Sequence, residues 1–413
     1  QGDVRFVRQR IHICCAGQSY HSGRKTLSIQ TTGELQQLPL RPAEAQIFHD
    51  KGNRKRYRHA AFSRIMPILA SSRLAIVPGS TYTLPMKTSP SPLRVVVSLD
   101  VEEEGLFSGS YASRGCSVRN VALLERLAPL SDELGFPLTL FCAHTVLTDT
   151  AACRTLEKMR DHHGAEIAAH LHHWSTPPLD AQSGSGTPQR THTLDRDLLR
   201  RRLATLLEAG RVFNGAPLTS FRMGRWDLKN CVRPLLAEQG ITLDSSVCPL
   251  RQHKGGPDHF LAPADPYWVD GATPDGTPLL EAPITQIPLL RPLPVLWRAL
   301  IRDIPRRDAF HFWGALSANP FWHNARVMRA AARLHHARGG KVLSIFWHSS
   351  ELMPGGSPQT PDQRAADAHF EKIFSFFRWL RDRLPVQGVT AAQLRAEAPR
   401  MAFPHRPSGP GDW

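Results

Sequence analysis

The sequence predicts an α/β fold on a parallel sheet, either a barrel or a doubly wound sheet. Two observations carry this. Short apolar, β-branched runs recur without polar alternation, as strands covered on both faces require. Between them lie stretches with helical spacing of leucines, so strand and helix alternate over roughly 300 residues with about seven strands. No internal repeat is present.

The first strand is Leu93-Arg-Val-Val-Val-Ser-Leu-Asp100, and it stops at the acids Asp100, Glu102, Glu103 and Glu104. A helix is expected over 118–130, where Leu123, Leu124, Leu127 and Leu130 fall on one side. Pro137-Leu-Thr-Leu-Phe-Cys-Ala-His144 reads as the second strand, 151–163 as a helix, and 166–169 as the third strand. Residues 182–188 form a Gly/Ser loop, and an amphipathic helix over 195–209 is stopped by Gly210. A strand at 218–222, a helix at 231–239 and a short strand at 241–244 follow. Residues 250–325, rich in Pro and Trp, read as an insertion with one short basic helix at 293–304. In and just after that helix Trp297, Arg298, Arg302, Arg306 and Arg307 either meet an anionic surface or pack the Trp/Leu side and solvate the arginines, the second being favoured. A helix at 324–337, the strand Lys341-Val-Leu-Ser-Ile-Phe-Trp-His348, a helix at 362–384 and a last strand at 386–390 complete the order. The expected domain is 91–396, with a flexible tail at 397–413.

Charge sets the first 90 residues apart. About +9 of the formal +15 lies in residues 1–85, including Lys51-Gly-Asn-Arg-Lys-Arg-Tyr-Arg58. They show no sustained periodicity and are expected to be a disordered, non-domain segment, with an ordinary chain start at Met86. A basic run of this kind is a solvated segment more often than a nucleic-acid arm, so no nucleic-acid partner is expected. The seven cysteines include no C-x-x-C pair, which implies a reducing compartment and cytoplasmic placement. No apolar run has the length of a membrane span, and the stretch near 65–70 is too short for a signal peptide.

Chemistry collects at strand ends. The predicted strands finish at Asp100, His144, His170, Arg222, Asp244 and His348, where βα barrels carry their working residues. Three histidines, His170, His172 and His173, stand within four residues at the end of one strand. Alternation puts His170 and His172 on one face and His173 on the other, and it puts Glu102 on the face of Asp100. Two imidazoles and a carboxylate suit a divalent cation.

Five segments then resemble, in order, the motifs of the polysaccharide deacetylase superfamily (NodB homology, carbohydrate esterase family 4). Val97-Ser-Leu-Asp100-Val-Glu102 is similar to the first motif in a D-V-E form. Glu166-Ile-Ala-Ala-His170-Leu-His172-His173-Trp174 resembles the histidine motif, and Ser220-Phe-Arg222-Met-Gly-Arg225-Trp226 the arginine motif. Leu243-Asp244-Ser-Ser-Val247 and Ile345-Phe-Trp-His348-Ser-Ser-Glu-Leu352 resemble the fourth and the closing motif.

The resemblance implies a distorted (β/α)7 barrel and hydrolysis of a non-peptide C–N bond, usually N-deacetylation of an amino sugar. By position Asp100 matches the base, Arg222 its partner and His348 the acid, while Asp244 belongs to the catalytic set as the fourth motif's aspartate. The family's second aspartate is Val101 here, so Glu102 is the substitute metal ligand with His170. The family's second histidine position holds Trp174, which leaves His172, with His173 behind it, for the remaining ligand. The expected cofactor is a divalent metal, zinc. Trp174, Trp226 and Trp347 flank the motifs and are candidates for stacking on a sugar of a glycan or envelope precursor. The alternatives are a metal-free amidohydrolase acting on a small ureide or amide, and an inactive barrel that binds a glycan or a protein.

Overall fold

Strand β1 (Leu93–Val101) sets the layering of the whole domain. Its odd-numbered residues, Leu93, Val95, Val97, Leu99 and Val101, are buried beneath the surrounding helices, whereas Val96, Ser98 and Asp100 face the barrel interior. The computed structural model describes residues 91–109, 111–184, 186–270, 278–406 and 411–413. The expectations for residues 1–90 lie outside the described residues.

Seven strands are mutually parallel in the order β10 (Val342–His348), β1, β2 (Leu138–Cys142), β3 (Glu166–Leu171), β4 (Ser220–Met223), β5 (Leu243–Asp244) and β7 (Leu279–Glu281). The sheet curls so that the chain leaving β7 meets β10. There Thr285 closes the seam: its N–H donates to Ser344 O (3.0 Å), and its Oγ1 accepts from Ser344 N (2.8 Å) and donates to Val342 O (3.1 Å). A distorted seven-stranded (β/α) barrel is thus the observed architecture.

The strand list differs from expectation in the barrel's seventh strand and in several short strands outside the barrel. The expected last strand, β11 (Val386–Gly388), pairs with the foot of β1. The seventh barrel strand is β7, inside the stretch read as an insertion. It is three residues long, with Pro278 and Pro283 on either side, so it carries the punctuation of a turn. Strand β6 (Tyr267–Val269) runs antiparallel to β7 and pairs in turn with β12 (His405–Arg406) from the stretch expected to be a flexible tail. Asp412 adds bonds from the backbone N–H groups of Asn230 (3.4 Å) and Asp258 (3.0 Å). Strands β8 (Gln286–Pro288) and β9 (Ala315–Ser317) form a separate antiparallel pair.

Helices follow the leucine spacing with local corrections. The stretch expected as a helix at 118–130 is a 3₁₀ run, Arg119–Leu127, continued by the short helix Ala128–Asp132 with Pro129 in its first turn. The helix Arg196–Asn214 starts on Asp195, whose carboxylate accepts from Leu198 N (2.8 Å), and runs past Gly210. Gly210 is a packing glycine, because a Cβ there would sit 2.2 Å from Leu218 Cδ1; the stop is Gly215, at φ +71°. Leu199, Leu203 and Leu206 face the sheet.

The seam yields a prediction. Replacing Thr285 by Val leaves the buried Ser344 N–H and Val342 carbonyl without that partner, a cost of about 1–3 kcal/mol. Urea unfolding should show a lower midpoint with an unchanged slope.

Candidate active site

Arg222 stands inside the barrel on β4 and is fully buried. Its guanidinium donates to Asp100 Oδ1 through Nη1, to Ser98 Oγ (2.8 Å) and Ser245 Oγ (3.0 Å) through Nη2, and to Ser245 O (3.1 Å) through Nε. Its Cζ lies 4.1 Å from the centre of the Phe141 ring. All three guanidinium nitrogens therefore have an acceptor, and one oxygen of Asp100 is held while Oδ2 stays available.

Oδ2 faces His348. His348 Nε2 lies 3.8 Å from Asp100 Oδ2, and its Nδ1 bonds Glu351 Oε2 at 2.9 Å. Glu351 also accepts from the His348 backbone N–H (2.9 Å), so one carboxylate fixes both the ring and its backbone. Burial alone would push the His348 proton off. The carboxylates of Glu102, Glu351 and Asp100 outweigh it and raise the imidazole to about 9. His348 is thus held protonated with Nε2 turned towards Asp100 Oδ2.

On the adjoining strands Glu102, His170 and His172 converge. Glu102 Oε2 is 3.5 Å from His170 Nε2 and 3.2 Å from His172 Nε2, all three residues are buried, and one donor atom from each lies within 4.8 Å of the others. The other ring nitrogens are engaged. His170 Nδ1 donates to Arg222 O (3.0 Å), since a carbonyl can only accept, and His172 Nδ1 bonds Glu103 Oε2 (2.6 Å). Ser175 Oγ holds the other Glu103 oxygen at 2.6 Å. His172 is further pinned by the stacked Trp174 ring (4.2 Å between centres) and by Gly224, where a Cβ would come within 2.5 Å of its Cδ2. Both Nε2 atoms thereby converge on one carboxylate, with carboxylate or carbonyl support behind each ring, as in histidines that ligate metal.

The donor set fits a divalent cation. Two neutral imidazole nitrogens and one carboxylate oxygen, with further positions open, suit zinc. Without a cation, burial opposes charge on His172, but Glu103 and Glu102 prevail and hold it protonated up to about 10. The same histidines and His348 hold the Glu102 carboxyl far below its ordinary range despite burial. A cation entering here displaces the His172 proton, so binding strengthens as pH rises.

Strand parity places the remaining candidates. His172, not His173, joins His170: His173 Nε2 turns to Gln189 O (3.0 Å), and burial, with Arg202 nearby, lowers it to about 4. Asp244 does not reach the cluster. In register with Phe221 it points to the outer face, where it bonds Ser246 Oγ and lies 3.8 Å from Arg233 Nε, beside Glu281. Trp347 is paired in register with Leu99, fully buried in the outer core, and cannot touch a ligand in the barrel mouth. Trp174 is also buried and serves the His172 ring. Trp226 is partly exposed, 4.7 Å from the Phe346 ring and 5.1 Å from Arg222 Cζ, and so stays a candidate for ligand contact. Arg225 and Trp226 both have positive φ (60° and 55°), a strained local backbone that turns these side chains at the mouth. His144 opens the helix His144–Leu147 instead of ending β2. Burial pushes the Cys248 thiol up to about 12, which disqualifies it as a nucleophile. Glu103 and Glu351 were missed as site residues; Glu351 had a signal, a carboxylate three residues after a strand-end histidine.

No family model matches this sequence, and no curated protein matches it. Solved structures do. A candidate glycoside hydrolase/deacetylase from Parabacteroides distasonis is 12% identical, with 75% of this chain and 72% of that chain covered at a TM-score of 0.52. The chain has the fold of the glycoside hydrolase/deacetylase barrels. A candidate polysaccharide deacetylase from Mycobacterium smegmatis is 17% identical over 80% of this chain and 98% of that one (TM-score 0.49). Puue allantoinase is 16% identical over 78% and 96% (TM-score 0.49). Among the described residues no helix is long and apolar enough to cross a membrane.

The support behind His172 is testable. Glu103→Gln should weaken zinc binding about 10–100-fold, because the ring loses its charged acceptor. Competition with a chromophoric chelator measures this. Asp244→Asn, on the outer face, should leave the same titration unchanged.

Proposed function

We propose that this protein is a zinc-dependent N-deacetylase acting on an N-acetylated sugar of a glycan or envelope precursor. The observation that carries the reading is the separation of two charge clusters within one barrel mouth: Glu102, His170 and His172 on one side, and Asp100 with Arg222 and His348 on the other. A bound divalent cation would polarise the amide carbonyl and acidify a water.

The chain's own groups supply the proton transfers. Asp100 Oδ2, free because Arg222 holds Oδ1, takes the proton from the attacking water as the C–O bond forms. His348 gives its Nε2 proton to the amide nitrogen as the C–N bond breaks, so acetate and a free amine leave together. Glu351 stabilises the charge on His348 from behind and keeps its ring in place. Trp226, with the Phe107 ring 5.1 Å from that of His348, lines the approach with aromatic faces suited to a pyranose.

Acetate release from N-acetylglucosamine oligomers by the zinc-loaded chain tests the reading. Asp100→Asn should retain zinc and lose about 10²–10⁴-fold in rate. Zinc binding without acetate release from any N-acetylated sugar, or full activity in Asp100→Asn, would contradict it. The pH profile carries a second prediction. The acid must be protonated, so activity falls as pH rises through the His348 value, about 9 or lower once a cation offsets the Glu102 charge. Glu351→Gln, which removes one of the carboxylates that raise His348, should move this falling limb to lower pH.

A further inference from the structure

The helix Leu293–Leu300 is built inside out. Pro292, Val295, Leu296, Ala299 and Leu300 follow the i, i+3, i+4, i+7, i+8 spacing of a core-facing stripe, yet all of them are exposed. Val295 is 61%, Leu296 54% and Leu300 68% exposed, and Leu290, just before the helix, is 42% exposed. The charged residue within the helix does the reverse. Arg298 turns inward to Asp258, at 2.8 and 3.2 Å. Trp297 on the inner side packs against Phe310 and Trp313 and donates its N–H to Arg307 O (3.3 Å). The helix is therefore anchored through its polar and aromatic side, and its apolar stripe is offered to the outside.

Such a face normally costs solubility and is retained where something covers it. Its rim indicates what. Arg291, Arg302 and Arg306, just before and just after the helix in the chain, are exposed, against the single exposed acid in this stretch, Asp303, which lies 4.0 Å from Arg306 Nε. An apolar stripe bordered by arginines on a helix too short to span a bilayer is the composition of an interfacial helix, with the leucines at acyl depth and the guanidinium groups at the headgroups. We infer that the stripe Val295–Leu296–Leu300 with its arginine rim docks the protein on the surface of an anionic phospholipid bilayer. The sequence favoured packing of the Trp/Leu side with solvated arginines; Trp297 and Leu293 do pack, but Leu296 and Leu300 do not. The inference does not rest on the catalytic reading and stands or falls separately from it.

Co-sedimentation of the full chain with phosphatidylglycerol/phosphatidylcholine vesicles, and with phosphatidylcholine alone, tests it. Binding should require the anionic lipid and weaken with salt. Leu296→Glu combined with Leu300→Glu should reduce partition by about tenfold or more, since two apolar side chains lose their burial. Arg302→Glu with Arg306→Glu should reduce it in the anionic vesicles. All four positions are exposed, so circular dichroism should stay native and thermal unfolding should be little changed. Absence of vesicle binding overturns the inference. So does binding that survives Leu296→Glu/Leu300→Glu, which would assign it to the basic residues 1–85. Self-association abolished by the leucine pair, without lipid binding, would assign the stripe to a second copy of the chain and equally overturn it.

Discussion

One buried arginine holds the two halves of the site together. The side chain of Arg222 fixes Asp100, and its backbone carbonyl accepts from His170, so Asp100 and the Glu102–His170–His172 cluster share a reference point on β4. A guanidinium carried into a barrel interior is tolerable only with complete pairing, and here Asp100, Ser98 and Ser245 provide it, with Phe141 beneath the plane. Removing Asp100 or Arg222 strands a buried charge, so this pair constrains the sequence of three strands at once. The two serines have no reactive role; they are there because the guanidinium has more N–H groups than one carboxylate can accept.

Support from behind recurs throughout the site. Glu103 stands behind His172, Glu351 behind His348, and the Arg222 carbonyl behind His170. Each fixes one ring nitrogen and leaves the other for chemistry. The consequences differ because the front partners differ. His348 faces a carboxylate held by Arg222 and keeps its proton, which suits an acid. His170 and His172 converge on the carboxylate of Glu102 and on each other; His172 also holds a proton in the absence of a cation, but the three donors together suit one. The same side-chain type thus does opposite work a few ångströms apart, set by neighbours and not by its own pattern in the chain.

Much of this was legible in the sequence, and the failures share a cause. The strand ends at Asp100, His170, Arg222 and His348, the inward pairing of Asp100 with Glu102, and the choice of His172 over His173 on facing grounds all follow from alternation. Asp244 was assigned to the site because it ends a strand and Trp347 because it flanks a motif, but neither position settles which face the side chain takes. His348 inward requires Trp347 outward, a parity argument available from the sequence. For Asp244 the neighbours were too few, because β5 is two residues long. Strand β7 was hidden by its prolines. Glu103 was invisible for another reason: beyond the end of β1 the alternation lapses, so its reach to His172 depends on the turn that follows.

Glu102, His170 and His172 are proposed to form one cation site distinct from the Asp100–Arg222–His348 set. Cobalt(II) titration followed by visible absorption addresses it directly, because d–d bands report ligand number and type. One equivalent of cobalt should bind with low-coordinate, intense bands, lost in Glu102→Ala and in His172→Ala and preserved in Asp100→Ala and in His173→Ala. A spectrum that survives loss of Glu102, or disappears with His173, would contradict it.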